Sequence, residues 1–169
     1  MNTLFALILV LVAAFSRLIP HAPNFTPAIT IALFAGTYFP RRLALLVPIA
    51  AILASDIVIG FYAATSMLFV YGSYALIAFL GILMKTRISA IMIAGYSLLS
   101  AVLFFVLTNF GVWLTPGAMY PRTLSGLLEC YIMALPFFRN TVASTAIFSA
   151  VMFGAYEAAE KFFFKTRTA

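Results

Sequence analysis

Hydrophobic residues run almost unbroken along this chain, and polar residues punctuate them at intervals suited to membrane spans. A helix crossing a bilayer needs about 20 predominantly apolar residues, with roughly 17–25 tolerated. By that length the chain divides into six runs. Residues 3–18 are slightly short. Residues 27–39 are shorter still, although Pro27 suits a helix first turn and the apolar stretch begins near Pro23. Residues 43–62 contain Pro48 and Asp56, residues 66–84 form a full span, residues 88–107 run on as far as Trp113, and residues 141–161 come last. Between Leu114 and Asn140 the pattern changes. TPGAMYPR has the turn chemistry of Pro116, Gly117 and Pro121. TLSGLLECYIMALPFF then gives an apolar stretch interrupted by Glu129 and Pro136, of the length expected for a re-entrant or interfacial segment over 124–138.

Charge placement sets the expected topology. Arg41 and Arg42 follow the second run, Lys85 and Arg87 the fourth, and Lys161, Lys165 and Arg167 the last. Six spans put all of these on one side together with the N-terminus, and the positive-inside tendency makes that side the cytoplasm. The expected fold is all-α: a single polytopic membrane domain over residues 1–169, a six-helix transmembrane bundle with a re-entrant or interfacial helical segment between helices five and six. The opening MNTLFALILVLVAAF resembles a signal peptide but lacks a Lys/Arg n-region, so a retained first helix is expected.

Composition agrees: 65% of residues are hydrophobic and 8% charged, against about 45–50% and about 25% in soluble domains. Lipid is the solvent such a surface requires. The net charge of +6 is spread singly and in pairs between apolar runs, so it reads as topology rather than as a nucleic-acid footprint. The single Cys130 excludes an internal disulfide and a multi-cysteine zinc site.

The expected topology gathers the unusual polar residues at the outer face. Arg17 ends helix one, and His21 and Asn24 follow in the loop. Asp56 lies in the outer half of helix three, Asn109 and Trp113 close helix five, and Tyr120, Arg122, Glu129 and Cys130 belong to the long outer segment. Polar groups converging from several helices under a loop are the usual make-up of a small-molecule pocket. The substrate-binding candidates are therefore Arg17, His21, Asn24, Asp56, Asn109, Trp113, Tyr120, Glu129, Arg139 and Asn140.

Each has a plainer reading. A carboxylate within a span costs roughly 2.5–3.5 kcal/mol on insertion scales and normally finds a partner. Asp56 is thus a structural ion-pair member with Arg17 or Arg139, a ligand contact, or a proton or cation relay. Arg139-Asn140-Thr141 is expected at the N-terminus of the last helix, where Asn140 caps it or, with Arg139, meets an anionic ligand group. His21 in its proline-flanked loop is either solvated or a ligand contact. Trp113 and Tyr120 are interfacial belt residues or stacking platforms. Cys130 is a buried thiol or a soft-metal ligand, and Glu129 has Arg122 and Arg139 as possible partners.

Two ladders of small residues recur at spacing four: Ala28, Ala32, Gly36 on helix two, and Ala146, Ala150, Gly154, Ala158 on helix six. Each lets another backbone approach, within the bundle or from a separate membrane partner. No GxxxxGK[ST], HExxH, GxSxG or paired-cysteine motif occurs. With one His and four acidic residues the chain is not expected to be an enzyme, and no cofactor or metal is expected. Any energy input would come from a partner or an ion gradient. No sequence repeat marks an inverted-repeat carrier.

RLIPHAPNFTPAITIALFAGTYF, LASDIVIGFY, FFVLTNFGVWL and YPRTLSGLLECYIMALPFFRNT resemble blocks of a family of small bacterial membrane proteins, often assigned as substrate-binding (S) components of energy-coupling-factor (ECF) transporters. The resemblance covers nearly the whole chain. It implies six helices, both termini cytoplasmic, and a vitamin-sized pocket near the outer surface of the bacterial inner membrane, covered by the first, third and fifth loops. It also implies toppling of the loaded bundle against a scaffold subunit driven by an ATPase pair. One feature departs from that class: S components that share a scaffold often carry Ala-xxx-Ala on helix one, whereas here Ala13 and Ala14 are adjacent and the spacing occurs at Ala28/Ala32 on helix two. The expected function is a membrane subunit binding a small nutrient, such as a vitamin or precursor, for uptake. The alternatives are a non-transport assembly or interaction protein and a solitary ion- or proton-coupled carrier.

Overall fold

In hydrocarbon an apolar run has no outside partner for its N–H and C=O groups, so it satisfies them within itself and becomes helix. The computed structural model describes residues 3–117 and 119–164. Its elements are α1 (Thr3–Ser16), α2 (Ala28–Tyr38), α3 (Arg41–Ile59), α4 (Ala64–Met84), α5 (Ala90–Leu114) and α6 (Leu124–Ala159), which continues into a π turn, Glu160–Phe164. Among the described residues there is no strand. Four helices, α3 to α6, are long and apolar enough to cross a membrane. The exterior suits lipid: Leu4, Val12, Phe15, Leu46, Ile57, Ile91 and Val151 are all exposed, far more apolar surface than water tolerates on a soluble monomer.

Local chemistry sets the boundaries. Ser89 accepts from the Met92 N–H at 3.3 Å to cap α5, and Thr123 accepts from Gly126 N–H at 3.2 Å to cap α6. Gly60, at φ 110°, ends α3 in a conformation that side-chain-bearing residues rarely adopt.

Two expectations are corrected. Residues 124–138 are not a separate re-entrant or interfacial segment. They form the first part of one continuous helix of 36 residues with Pro136 inside it. Pro136 removes one N–H from the helical ladder, but the flanking residues still complete theirs, so the helix carries through. At 1.5 Å per residue α6 is about 54 Å long, well beyond the ~30 Å hydrocarbon core. The second correction concerns α2, whose 11 residues span only about 16 Å. It does not reach membrane-spanning length.

The short helix α2 is the centre of the fold. All of its residues are buried, and it touches each of the other five helices. Its closest neighbour is α4. A Cβ at Gly36 would collide with the Ala78 carbonyl, and one at Gly81 with the Leu33 carbonyl, so the two backbones lie in direct contact. Thr37 donates from Oγ1 to Leu33 O at 2.9 Å and lies 3.3 Å from Gly81 O. Toward α6, Phe34 and Tyr38 meet Phe153 and Tyr156 in an aromatic cluster with ring centroids 4.1–5.6 Å apart.

The same contacts define two ends. Lys85 Nζ donates to Phe39 O at 3.4 Å, and Tyr38 donates to Glu157. Arg41, Arg42, Lys85, Arg87 and Lys161 therefore gather at one end, the basic end. Lys165 and Arg167 of the expected charge cluster lie outside the described residues.

Candidate functional site

At the end opposite the basic clusters the first charged side chain is Arg17, just beyond α1. Its Nη2 donates to Asp56 Oδ1 at 2.8 Å. Its Nη1 donates to Ile52 O at 3.2 Å and to Ser55 Oγ. Tyr71 of α4 donates to the other Asp56 oxygen, Oδ2, at 2.7 Å. Both carboxylate oxygens of Asp56 are thus engaged at 3% exposure. A buried pair holds its charge only when hydrogen bonds satisfy the remaining lone pairs and N–H groups; Tyr71 donates to Asp56, and Ser55 and Ile52 O accept from Arg17. Of the readings open for Asp56, the geometry is that of an ion pair with Arg17; Arg139 is not its partner.

Arg17 has a second face. It lines a cavity of about 340 Å³ with Asn24, Thr26, Tyr62, Tyr74, Phe104, Phe105, Thr108, Asn109, Phe137 and Thr141. These residues come from the α1–α2 loop, the α3–α4 turn and helices α4, α5 and α6. The volume falls in the range of small-molecule sites. Arg17 Nε is buried and makes no hydrogen bond among the described residues. Asn109 donates through Nδ2 to Phe105 O at 2.8 Å, which leaves its Oδ1 to accept. The walls are aromatic: Tyr74 stacks on Phe104 with centroids 5.3 Å apart and planes at 24°. Burial, and then the neighbouring Asp56 carboxylate, push the Tyr62 phenol up to about 12, so it stays neutral. Because Asp56 offsets Arg17, the cavity is lined by a compensated cation, amide and hydroxyl groups, and flat apolar faces.

Of the sequence candidates, Arg17, Asn24 and Asn109 meet at this cavity, with Asp56 directly behind Arg17. Asn24 adopts φ 59°, a left-handed conformation Asn tolerates. Ser144 Oγ lies 3.4 Å from its carbonyl. The others do not line the cavity. His21 is exposed, its Nδ1 3.0 Å from Ala22 O. Trp113 donates from Nε1 to Pro121 O at 2.9 Å and closes the α5–α6 turn. Tyr120 is half-buried beside that turn, and Glu129 and Arg139 are exposed. Glu129 pairs with neither Arg122 nor Arg139 among the described residues; Arg122 instead donates to Leu114 O at 2.9 Å.

Asn140 corrects an expectation. It lies inside α6 and caps nothing, because the helix begins at Leu124. Its neighbours' N–H groups belong to the helical ladder, so no helix N-terminus is there to attract an anion. Asn140 Nδ2 donates instead to Pro23 O at 2.9 Å, tying the α1–α2 loop to α6. Cys130 is buried, its Sγ 3.5 Å from Asn109 O. Among the described residues no cluster of three His, Cys, Asp or Glu forms a metal site. The ladder Ala28, Ala32, Gly36 is buried, with Gly36 against α4, and presents nothing to a separate partner, whereas Ala146, Ala150, Gly154 and Ala158 are exposed.

Sequence reasoning missed the aromatic wall and the second partner of Asp56, Tyr71. The available signal was Tyr71 and Tyr74, two hydroxyl-bearing residues three apart, and so on adjoining faces of one apolar helix.

The chain belongs to DUF6580, a family of unknown function whose model matches residues 1–167. No curated protein and no solved structure matches it.

Proposed function

We propose that this protein is a substrate-binding membrane subunit of the S-component kind. It would capture a small nutrient, such as a vitamin or precursor, in the Arg17–Asn109 cavity for uptake across the bacterial inner membrane. In this reading the basic end faces the cytoplasm, in line with the positive-inside tendency, both termini lie there, and α3 to α6 cross the membrane around the short central α2. The observation that carries the reading is the cavity itself, where scarce polar groups from separate segments meet against aromatic walls. Its chemistry favours a small, flat and largely uncharged molecule with a hydrogen-bonding edge, because Asp56 already compensates Arg17. Energy for release inward would come from a scaffold subunit and ATPase pair.

The test is mass spectrometry of small molecules retained by the purified protein. Asn109→Leu is expected to lower retention about tenfold, the equivalent of one hydrogen bond at about 1.4 kcal/mol. Arg139→Ala, outside the cavity, is expected to leave retention unchanged. A wild-type protein that retains nothing, or equal retention in Asn109→Leu, overturns the reading. Co-purification of an ATPase pair tests its energised part separately.

A further inference from the structure

A second cavity lies toward the basic end, in the groove where the first half of α5 runs beside the second half of α6. Its volume is about 530 Å³, and it shares no lining residue with the Arg17–Asn109 cavity. Its walls are small residues, among them Ala90, Ala94 and Ala101 on α5 and Ala146, Ala150 and Gly154 on α6. The α6 residues are exposed, and a Cβ at Gly154 would meet nothing within 4 Å. Between residues 88 and 101 the groove follows α5 for about 20 Å, at 1.5 Å per residue. Spread over that length, about 530 Å³ is room for a slender molecule.

Its floor is polar. Ser97, Thr145 and Ser149 line it. Ser97 donates to Ser149 Oγ at 2.8 Å, and Thr30 of α2 lies 3.2 Å from the same oxygen. Thr145 is the exception. It is 1% exposed, and its Oγ1 has no hydrogen-bond partner among the described residues. One turn earlier, Thr141 donates to Phe137 O at 3.1 Å. A buried hydroxyl in hydrocarbon costs free energy unless something accepts from it. The lining contains no cation, and its one carboxylate, Glu157, already accepts from Tyr38. We infer that the α5–α6 groove binds a slender lipophilic molecule with an uncharged oxygen acceptor, such as a carbonyl, which enters from the bilayer and accepts from Thr145 Oγ1.

An alkyl benzophenone is a suitable probe, since its ketone accepts a hydrogen bond and, on illumination, inserts into nearby C–H bonds. Full-length protein in lipid nanodiscs is photolabelled and the adducts are mapped by peptide mass spectrometry. Labelling is expected to concentrate on residues 88–101 and 142–157. Gly154→Leu, which fills the groove from a position with open space, should reduce it at least fivefold. Thr145→Val should reduce it severalfold, and Thr145→Ser should restore it. Labelling spread evenly over the exposed faces of α1 and α3, or unchanged by Gly154→Leu, overturns the inference. So does an interchain disulfide through Gly154→Cys in a Cys130→Ser background, because a second copy would then cover the groove. Thr145 and Gly154 do not line the cavity at the other end, so failure here leaves the nutrient reading standing.

Discussion

Helices α2 and α6 carry the same signal in sequence and meet opposite fates. Ala28, Ala32 and Gly36 recur at spacing four and are all buried; Ala146, Ala150, Gly154 and Ala158 recur at spacing four and are all exposed. The spacing says only that one face of a helix is smooth enough for a backbone to approach. What arrives depends on a complement elsewhere in the chain. For α2 the complement is α4, where Gly81 and Ala78 meet Gly36 backbone to backbone. For α6 the flanking helix α5 contributes Ser97 to the edge of the ladder and leaves a groove beside it. Small residues in a membrane helix thus mark a place where a neighbour can come close. They do not say whether that neighbour is part of the same chain.

The largest effects are expected on the covered side. Gly36→Leu must push α2 away from the Ala78 carbonyl, and α2 touches every other helix, so no single side chain can absorb the shift. Overpacking a core costs about 1–3 kcal/mol even where side chains can yield. Here backbone would have to move, and loss of monodisperse folded protein by size-exclusion chromatography is the expected result. Next comes Asp56→Ala. Asp56 at 3% exposure contrasts with the exposed Glu129 much as α2 contrasts with α6. Removing it leaves Arg17 buried without its counter-charge, at a cost of about 3–5 kcal/mol. Thermal unfolding in detergent should show a large fall in Tm, whereas Glu129→Ala should leave Tm in place.

The helical runs were legible because lipid imposes one rule: a run of apolar residues must be helical. The positions of Arg41, Lys85 and Lys161 then pointed to a common basic end, and contacts such as Lys85 to Phe39 and Tyr38 to Glu157 agree. The re-entrant segment was misread because Pro136 and Glu129 look like interruptions. Neither stops a helix whose neighbouring N–H groups remain paired, and Glu129 simply faces outward. The misplacement of Asn140 follows from the same error, since a cap requires a helix end. Arg17, Asn24 and Asn109 were legible as cavity residues through scarcity alone: polar side chains in so apolar a chain are costly wherever they lie. Tyr74, Phe104 and Phe137 were not, because an aromatic facing a ligand, a lipid or a core looks the same in sequence.

The smaller effects sharpen the contrast where α2 and α6 meet. Thr30 of α2 lies 3.2 Å from Ser149 Oγ and 3.3 Å from Thr145 O, both on α6. Hydrogen bonds between membrane helices average about 0.6 kcal/mol and reach about 1.7. Thr30→Val keeps the shape and removes the hydroxyl, so a loss of that size is expected in chemical unfolding, with no change in monodispersity. The smallest effect should come from Gly154→Ala. A methyl there meets nothing within 4 Å, and alanine is the better helix former by up to about 1 kcal/mol. Stability should be unchanged or slightly raised, opposite in sign to any substitution at Gly36. A clear loss of stability in Gly154→Ala would mean that a neighbouring chain presses on this face as closely as α4 presses on α2, and the difference between the two ladders would then be one of partner identity rather than of exposure.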